Sequence, residues 1–179
     1  MVPSGVSSMH VALLKLSDAP SYRSLMLEAY ECAADAFTST AEERSNEPDS
    51  FWARRVADPT GLSAAFGAFE GADLVGTVAL EFSAKPKTRH KALVIGMYVS
   101  PAARGGGAGR ALLAAAMAYV EGRRDILRMY LTVTEDNVPA VNLYRSAGFE
   151  PFGVEPMAIL TPSGFKGKVH MSRAVAGTQ

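Results

Sequence analysis

At 179 residues the chain is long enough to bury a core without disulfides or metals, and 18 Lys+Arg balance 18 Asp+Glu, so no basic stripe points to nucleic acid as a partner. The single Cys32 excludes an internal disulfide framework and reads as a small core residue of a helix in a reducing compartment. No apolar run approaches the roughly 18 to 20 residues that cross a bilayer, and the first eight residues lack a basic region followed by an apolar core. The expectation is therefore a cytoplasmic protein in which 1–8 are a flexible leader, Met9 is an alternative start, and 9–175 are one domain.

Residues 11–16 are expected to form a first strand. Ser17 or Asp18 then offers a side-chain oxygen to cap a helix that follows Pro20 and carries Leu25, Leu27, Ala29, Cys32, Ala33 and Ala36. The stretch 37–49 is polar and acidic and predicts a loop or a broken helix, and a short helix over 50–57 would bury Phe51, Trp52 and Val56. Residues 62–70 and 74–82 are β-rich and flank Gly71-Ala72-Asp73, which predicts an antiparallel hairpin, and a third strand runs over 91–99. A glycine-rich loop follows, and Ala111, Leu112, Ala114, Ala115, Ala116, Ala118 and Tyr119 predict a helix with small residues against a sheet. The apolar run 126–134 then forms a strand parallel to the one before the loop, joined to it by a right-handed crossover. Asn137 or Val138 opens a further helix with Pro139 early in it, Gly148 ends it with Phe149 packing back, and 151–174 form two strands around Thr161-Pro-Ser-Gly164. The fold class is a mixed α+β sandwich of about seven strands and four helices.

The loop Arg104-Gly105-Gly106-Gly107-Ala108-Gly109 sits between a strand ending in Met97-Tyr98-Val99 and a helix opening at Arg110. Glycines let a backbone approach an anion, and a helix N-terminus supplies free N–H groups and the positive end of its dipole, so the loop reads as a phosphate site. It lacks the Gly-Lys-Ser/Thr ending of an NTPase loop, and arginine stands where a dinucleotide loop begins with glycine. The pattern resembles the R-x-x-G-x-G acyl-CoA loop of the Gcn5-related N-acetyltransferase (GNAT) superfamily. Leu131-Thr-Val-Thr-Glu-Asp-Asn137-Val-Pro-Ala-Val-Asn142-Leu-Tyr144-Arg-Ser-Ala-Gly148-Phe149 is similar to the second half of the same family's site, and the likeness spans about 67–173. It extends to ribosomal-protein alanine acetyltransferase-like members, mostly in the shared CoA half.

That resemblance implies the GNAT acyl-CoA N-acyltransferase fold: a mostly antiparallel sheet with one parallel pair that splays to admit the pantetheine arm. It implies transfer of an acetyl group from acetyl-CoA to a primary amine in a ternary complex, with no metal. Backbone groups of Met97, Tyr98 and Val99 would meet the pantetheine and thioester. Gly105, Gly106, Gly107, Ala108, Gly109 and Arg110 would hold the pyrophosphate, with charge added by Arg104 and Arg110. Asn137 and Tyr144 lie two helical turns apart on one face with Ala140 and Val141 between them, and that face would line the slot. Tyr144 matches the family tyrosine beside the CoA sulfur, where a phenol protonates the leaving thiolate. Asn142 is expected to bond locally in its helix. Glu81 is the candidate for the base that takes the amine proton, with His90, His170, Tyr98 and water alone as competitors. The acidic run Glu42, Glu43, Glu47 and Asp49 borders the expected acceptor side, either attracting a cationic acceptor or as a solvated loop.

The sequence leaves the acceptor open between a small amine and a protein N-terminus, and it leaves open whether the protein is a homodimer. A second reading is a catalytically silent CoA-binding regulatory module. A nucleotide-binding domain of another fold fits less well, because no acidic residue is convincingly placed about twenty residues on to hold a ribose and the strand-meander entry differs from a repeating βαβ plan.

Overall fold

A computed structural model describes residues 8–176, so most of the expected leader lies outside the described residues. One seven-stranded sheet runs in the order β1-β2-β3-β4-β5-β7-β6, with β1 Met9–Leu13, β2 Ser63–Glu70, β3 Asp73–Phe82, β4 Lys91–Val99, β5 Arg128–Thr134, β6 Glu150–Thr161 and β7 Gly164–Ala174. Every pairing is antiparallel except β4 with β5. Five α-helices flank it: α1 Ala19–Cys32, α2 Ala41–Ser45, α3 Asp49–Val56, α4 Ala108–Glu121 and α5 Val138–Ser146.

Strand alternation divides the core in two. Phe66, Val78, Leu80 and Val94 point from the sheet to α4, where Leu112, Leu113 and Ala116 cover them; Phe149 and Met171 close the same cluster. Leu14, Ala65 and Ala79 point the other way, to Tyr22, Leu25, Met26 and Ala29 of α1 and to Trp52 and Val56 of α3. A fully buried side chain of this size contributes about 1.5–3 kcal/mol relative to an exposed one.

Three local expectations change. The first strand is Met9–Leu13 rather than 11–16, because its ladder to β2 runs from Met9↔Glu70 to Leu13↔Phe66; Leu14 then turns inward, and Leu16 starts a 3-10 turn with its side chain exposed. Within 37–49 the chain forms α2, fixed by a capping box in which Glu43 N–H donates to Thr40 Oγ1 at 3.1 Å and Thr40 N–H donates to Glu43 Oε2 at 2.8 Å. This helix raises the expected four to five. Cys32 ends α1 and is exposed, not a core residue.

The second half follows the sequence signals closely. Asn137 Oδ1 accepts from Ala140 N–H at 3.3 Å at the start of α5 and Pro139 stands in its first turn. Gly148 (φ +89°) ends it, with Phe149 N–H donating to Tyr144 O.

Candidate active site

β4 and β5 pair only over Lys91↔Arg128, Ala92↔Met129 and Leu93↔Tyr130. Beyond Leu93 the two strands part, which leaves backbone of β4 without a partner on that side. At the same place β4 bulges: Ala79 lies opposite Ile95 and Thr77 opposite Tyr98, so Gly96 and Met97 together face Val78. Gly96 has φ +60°, a left-handed conformation that costs a residue with a Cβ. The extra residue also reverses the alternation that follows. Met97 and Val99 thereby fall on the α4 face, and Tyr98 on the α1 face.

The gap is a cleft of ≈ 230 Å³. Its walls are Val94–Met97 of β4, Thr132–Thr134 of β5, and Asn137, Ala140, Leu143 and Tyr144 of α5. The expected helix face is thus present, with Leu143 in the wall where Val141 was expected. Tyr144 is buried, and burial pushes its phenol up to about 12. Among the described residues its hydroxyl has no hydrogen-bonding partner, while its ring meets Phe149 edge-on at 6.1 Å. Lys168, which the sequence reading did not single out, also lines this cleft, and burial pushes its ammonium below the usual lysine range.

The glycine loop lies at the start of α4. Gly105 and Gly107 both have φ +83°, and a Cβ on either would meet nothing within 4 Å, so torsion rather than crowding favours glycine there. The first intrahelical bond is Ala111 N–H to Gly107 O, which leaves the N–H groups of Ala108, Gly109 and Arg110 before it without helical acceptors. A Cβ on Gly109 would touch Leu143 Cδ2 at 3.4 Å, so this glycine brings α4 close to α5. Arg110 is exposed; Arg104 is exposed too, but its Nε donates to Val99 O at 3.0 Å and its guanidinium lies 5.9 Å from the Tyr98 ring centroid.

A second cleft of ≈ 190 Å³ adjoins the first and shares Phe37, Thr38, Ile95 and Gly96 with it. Glu81 lines it, with Oε1 accepting from Arg55 Nη1 at 2.9 Å. Tyr22 reaches the junction: its hydroxyl would lie 3.8 Å from a Cβ on Gly96, and burial raises its phenol far above the usual range. Arg44 completes that wall.

The competing bases lie elsewhere. Tyr98 points away from both clefts and donates to Glu28 Oε1 at 2.8 Å, where Ser100 Oγ also donates at 2.9 Å. Burial followed by the Glu28 carboxylate raises the Tyr98 phenol strongly. His170 Nε2 is 3.1 Å from Glu155 Oε2 beside Phe152, and neither it nor His90 lines either cleft. In the acidic run, Glu43 belongs to the α2 capping box, Glu47 pairs with Arg44 at 3.3 Å, and Asp49 lies in the first turn of α3. None of the four lines the second cleft: Glu42 and Glu43 of α2 and Asp49 of α3 are exposed, and Glu47 between the helices pairs with Arg44. Larger surface grooves beside Phe82 contain neither Gly96 nor any residue of α5.

A family model described as "Acetyltransferase (GNAT) family" matches residues 25–149. The L-amino acid N-acetyltransferase AaaT of Escherichia coli (strain K12) is 27% identical over 125 residues, 70% of this chain and 76% of that protein. Mycothiol acetyltransferase of Salinispora arenicola (strain CNS-205) is 51% identical over 51 residues, 28% of this chain, and the match spans only 17% of that protein's length. In fold, the structure of yncA from Salmonella typhimurium with its cofactor acetyl-CoA superposes with a TM-score of 0.80 at 19% identity, covering 95% of each chain.

Proposed function

The chain belongs to the acetyltransferase (GNAT) family, and from that premise we propose that residues 9–175 act as one N-acetyltransferase domain that moves an acetyl group from acetyl-CoA to a primary amine. The observation that carries the proposal is the coincidence of the splayed β4–β5 pair with the glycine loop at one end of the gap and Tyr144 in its wall. An acyl-CoA needs all three: unpaired strand backbone for the pantetheine amides, free N–H groups for the pyrophosphate, and a proton donor near the sulfur.

On this reading the pyrophosphate lies on the N–H groups of Gly105–Arg110, with Arg104 released from Val99 O and Arg110 supplying charge. The pantetheine follows β4 from Val99 past Met97, and Asn137 borders the slot from the start of α5. The acetyl carbonyl reaches the bulge, where the two clefts meet. The neutral amine attacks the carbonyl carbon, a C–N bond forms, and the tetrahedral intermediate collapses with cleavage of the C–S bond. One proton leaves the nitrogen for Glu81 through water, and another passes from the Tyr144 hydroxyl to the departing sulfur, so that free CoA thiol and the N-acetyl product result; solvent then takes the proton from Glu81 and returns one to the Tyr144 phenolate. Glu81 has one oxygen engaged by Arg55 and, among the described residues, no partner at the other, which suits a relay through water.

The proposed acyl transfer needs no Lewis acid, because strand amides and a phenol can carry the developing charges. Among the described residues no three His, Cys, Asp or Glu side chains come together as a metal site, and no helix is long and apolar enough to cross a membrane. We place the enzyme in the cytoplasm, and an exposed β6 edge bearing Phe152, Val154, Met157 and Leu160 leaves room for a homodimer.

Two measurements test the reading. Acetyl-CoA should raise the melting temperature of the metal-free protein, by an amount equivalent to about 2.7 kcal/mol at a hundredfold excess over Kd, and ATP or NAD much less. A panel of primary amines should then yield free CoA thiol with at least one member. A shift with ATP and none with acetyl-CoA would remove the assignment.

A further inference from the structure

We infer that the second cleft is built for an amine that also carries a carboxylate, so that the acceptor is a small amino acid rather than a polyamine. This rests on the N-acetyltransferase reading above. Three charged side chains line the cleft, and they are two guanidinium groups and one carboxylate: Arg44, Arg55 and Glu81. They come from separate elements, α2, α3 and β3, and meet only in the fold.

Both arginines are held in place with donors to spare. Arg44 Cζ sits 4.7 Å from the Phe51 ring centroid and Arg55 Cζ 5.9 Å from the same centroid, so one aromatic ring helps to orient both. Arg44 meets Glu47 through Nη1 at 3.3 Å, and Arg55 meets Glu81 through Nη1 at 2.9 Å. A guanidinium has five N–H donors, so a single carboxylate contact leaves most of them unused. Among the described residues the buried Arg44 Nε has no hydrogen-bond partner. A planar anion is the ligand that satisfies two such forks at once.

The opposite charge arrangement would suit a cationic acceptor, and the acidic residues that sequence alone placed here are occupied elsewhere. Glu43 caps α2 and Glu47 serves Arg44 from outside the cleft. Beside Thr38, Ser39 and Gly96, the remaining walls Tyr22, Met26, Tyr30, Phe37 and Ile95 are largely apolar and accept an aliphatic side chain. The ligand's carboxylate lies between Arg44 and Arg55, and its nitrogen points to Glu81 and the Gly96 junction, where the first cleft delivers the acetyl group.

Binding can be read without turnover, because Trp52 is the only tryptophan and it contacts Tyr22 and Phe51 edge-on at 6.1 and 5.0 Å. L-leucine, L-leucinamide and isopentylamine share a side chain and differ at the carboxylate, so each is titrated against Trp52 fluorescence in the presence of CoA. L-leucine should bind at least about tenfold more tightly than either analogue, and Arg44→Gln and Arg55→Gln should each bring the three together. Arg44→Lys, which keeps the charge but loses the fork, should retain part of the preference. Equal or tighter binding of leucinamide or isopentylamine, or no response to leucine, overturns the inference, and the wild-type titrations decide this even if a variant fails to fold. Failure of the acetyltransferase reading itself has a different signature: no thiol release with any amine.

Discussion

Tyr144 is the side chain on which the two readings of the proposed acetyl-CoA cleft, enzyme or silent binding module, diverge. A phenol pushed up to about 12 by burial stays protonated across the whole working range, which a donor to a thiolate requires and a base does not. Tyr144→Phe keeps the ring against Phe149 and removes only the hydroxyl. Single-turnover rates should fall by about 10²- to 10⁴-fold while acetyl-CoA affinity changes little. Wild-type rates in this variant would leave Tyr144 as a wall residue and move the protein toward a silent CoA-binding module. The same shift has a consequence for stability with a defined sign. The folded-state pKa lies above the unfolded value of about 10, so the stabilisation is intact below pH 10 and is lost as pH rises toward 12. Tyr144→Phe should therefore lessen the fall of melting temperature above pH 10.

β4 is the element where a single residue decides the most. Gly96 supplies the left-handed torsion of the bulge, and the bulge sends Tyr98 to Glu28 and leaves Met97 at the slot. Gly96→Ala meets no atom closer than Met26 Cε at 3.7 Å, so its cost is torsional, about 1–2 kcal/mol, which corresponds to a few degrees in melting temperature for a domain of this size. If the bulge flattens instead, the alternation beyond it reverts, and acetyl-CoA affinity should drop by more than the stability loss suggests. Calorimetry and a CoA titration on the same variant separate the two. A bulge is legible as an isolated glycine inside a strand pattern, though the sequence reading passed over Gly96. Its effect on the facing of Tyr98 is not legible, because alternation is read by counting and the count fails where a residue is inserted. The α5 region was more transparent: Asn137, Pro139 and Gly148 act through their own backbone positions, and local chemistry is what a sequence displays.

At the scale of the whole molecule, the proposed acceptor cleft draws on Tyr22, Arg44, Arg55, Glu81 and Gly96, and no spacing rule connects residues so far apart in the chain. The sequence accordingly pointed to the acidic side chains of 42–49 and passed over the arginines between and beyond them. The same distance effect hides the tie between the two clefts. After α1 the chain passes through Asp35 to Phe37 and Thr38, which both clefts share, and that passage is fastened to the β5–α5 corner from two sides. Lys166 Nζ contacts Asp35 Oδ2 at 2.9 Å and Asp136 Oδ2 at 2.6 Å, and Thr134 Oγ1 donates to Asp35 O at 2.6 Å. The two aspartates raise the Lys166 pKa, so the tie persists through neutral pH. Surface pairs of this kind contribute little to global stability, and their effect is local. Lys166→Met keeps the aliphatic stem and removes the charge. It should leave the melting temperature within a few degrees of wild type, speed amide exchange in residues 33–38, and raise the KM of the acceptor more than it lowers kcat. Unchanged exchange in that segment would mean that Thr134 alone holds the passage, and the acceptor KM should then stay at its wild-type value.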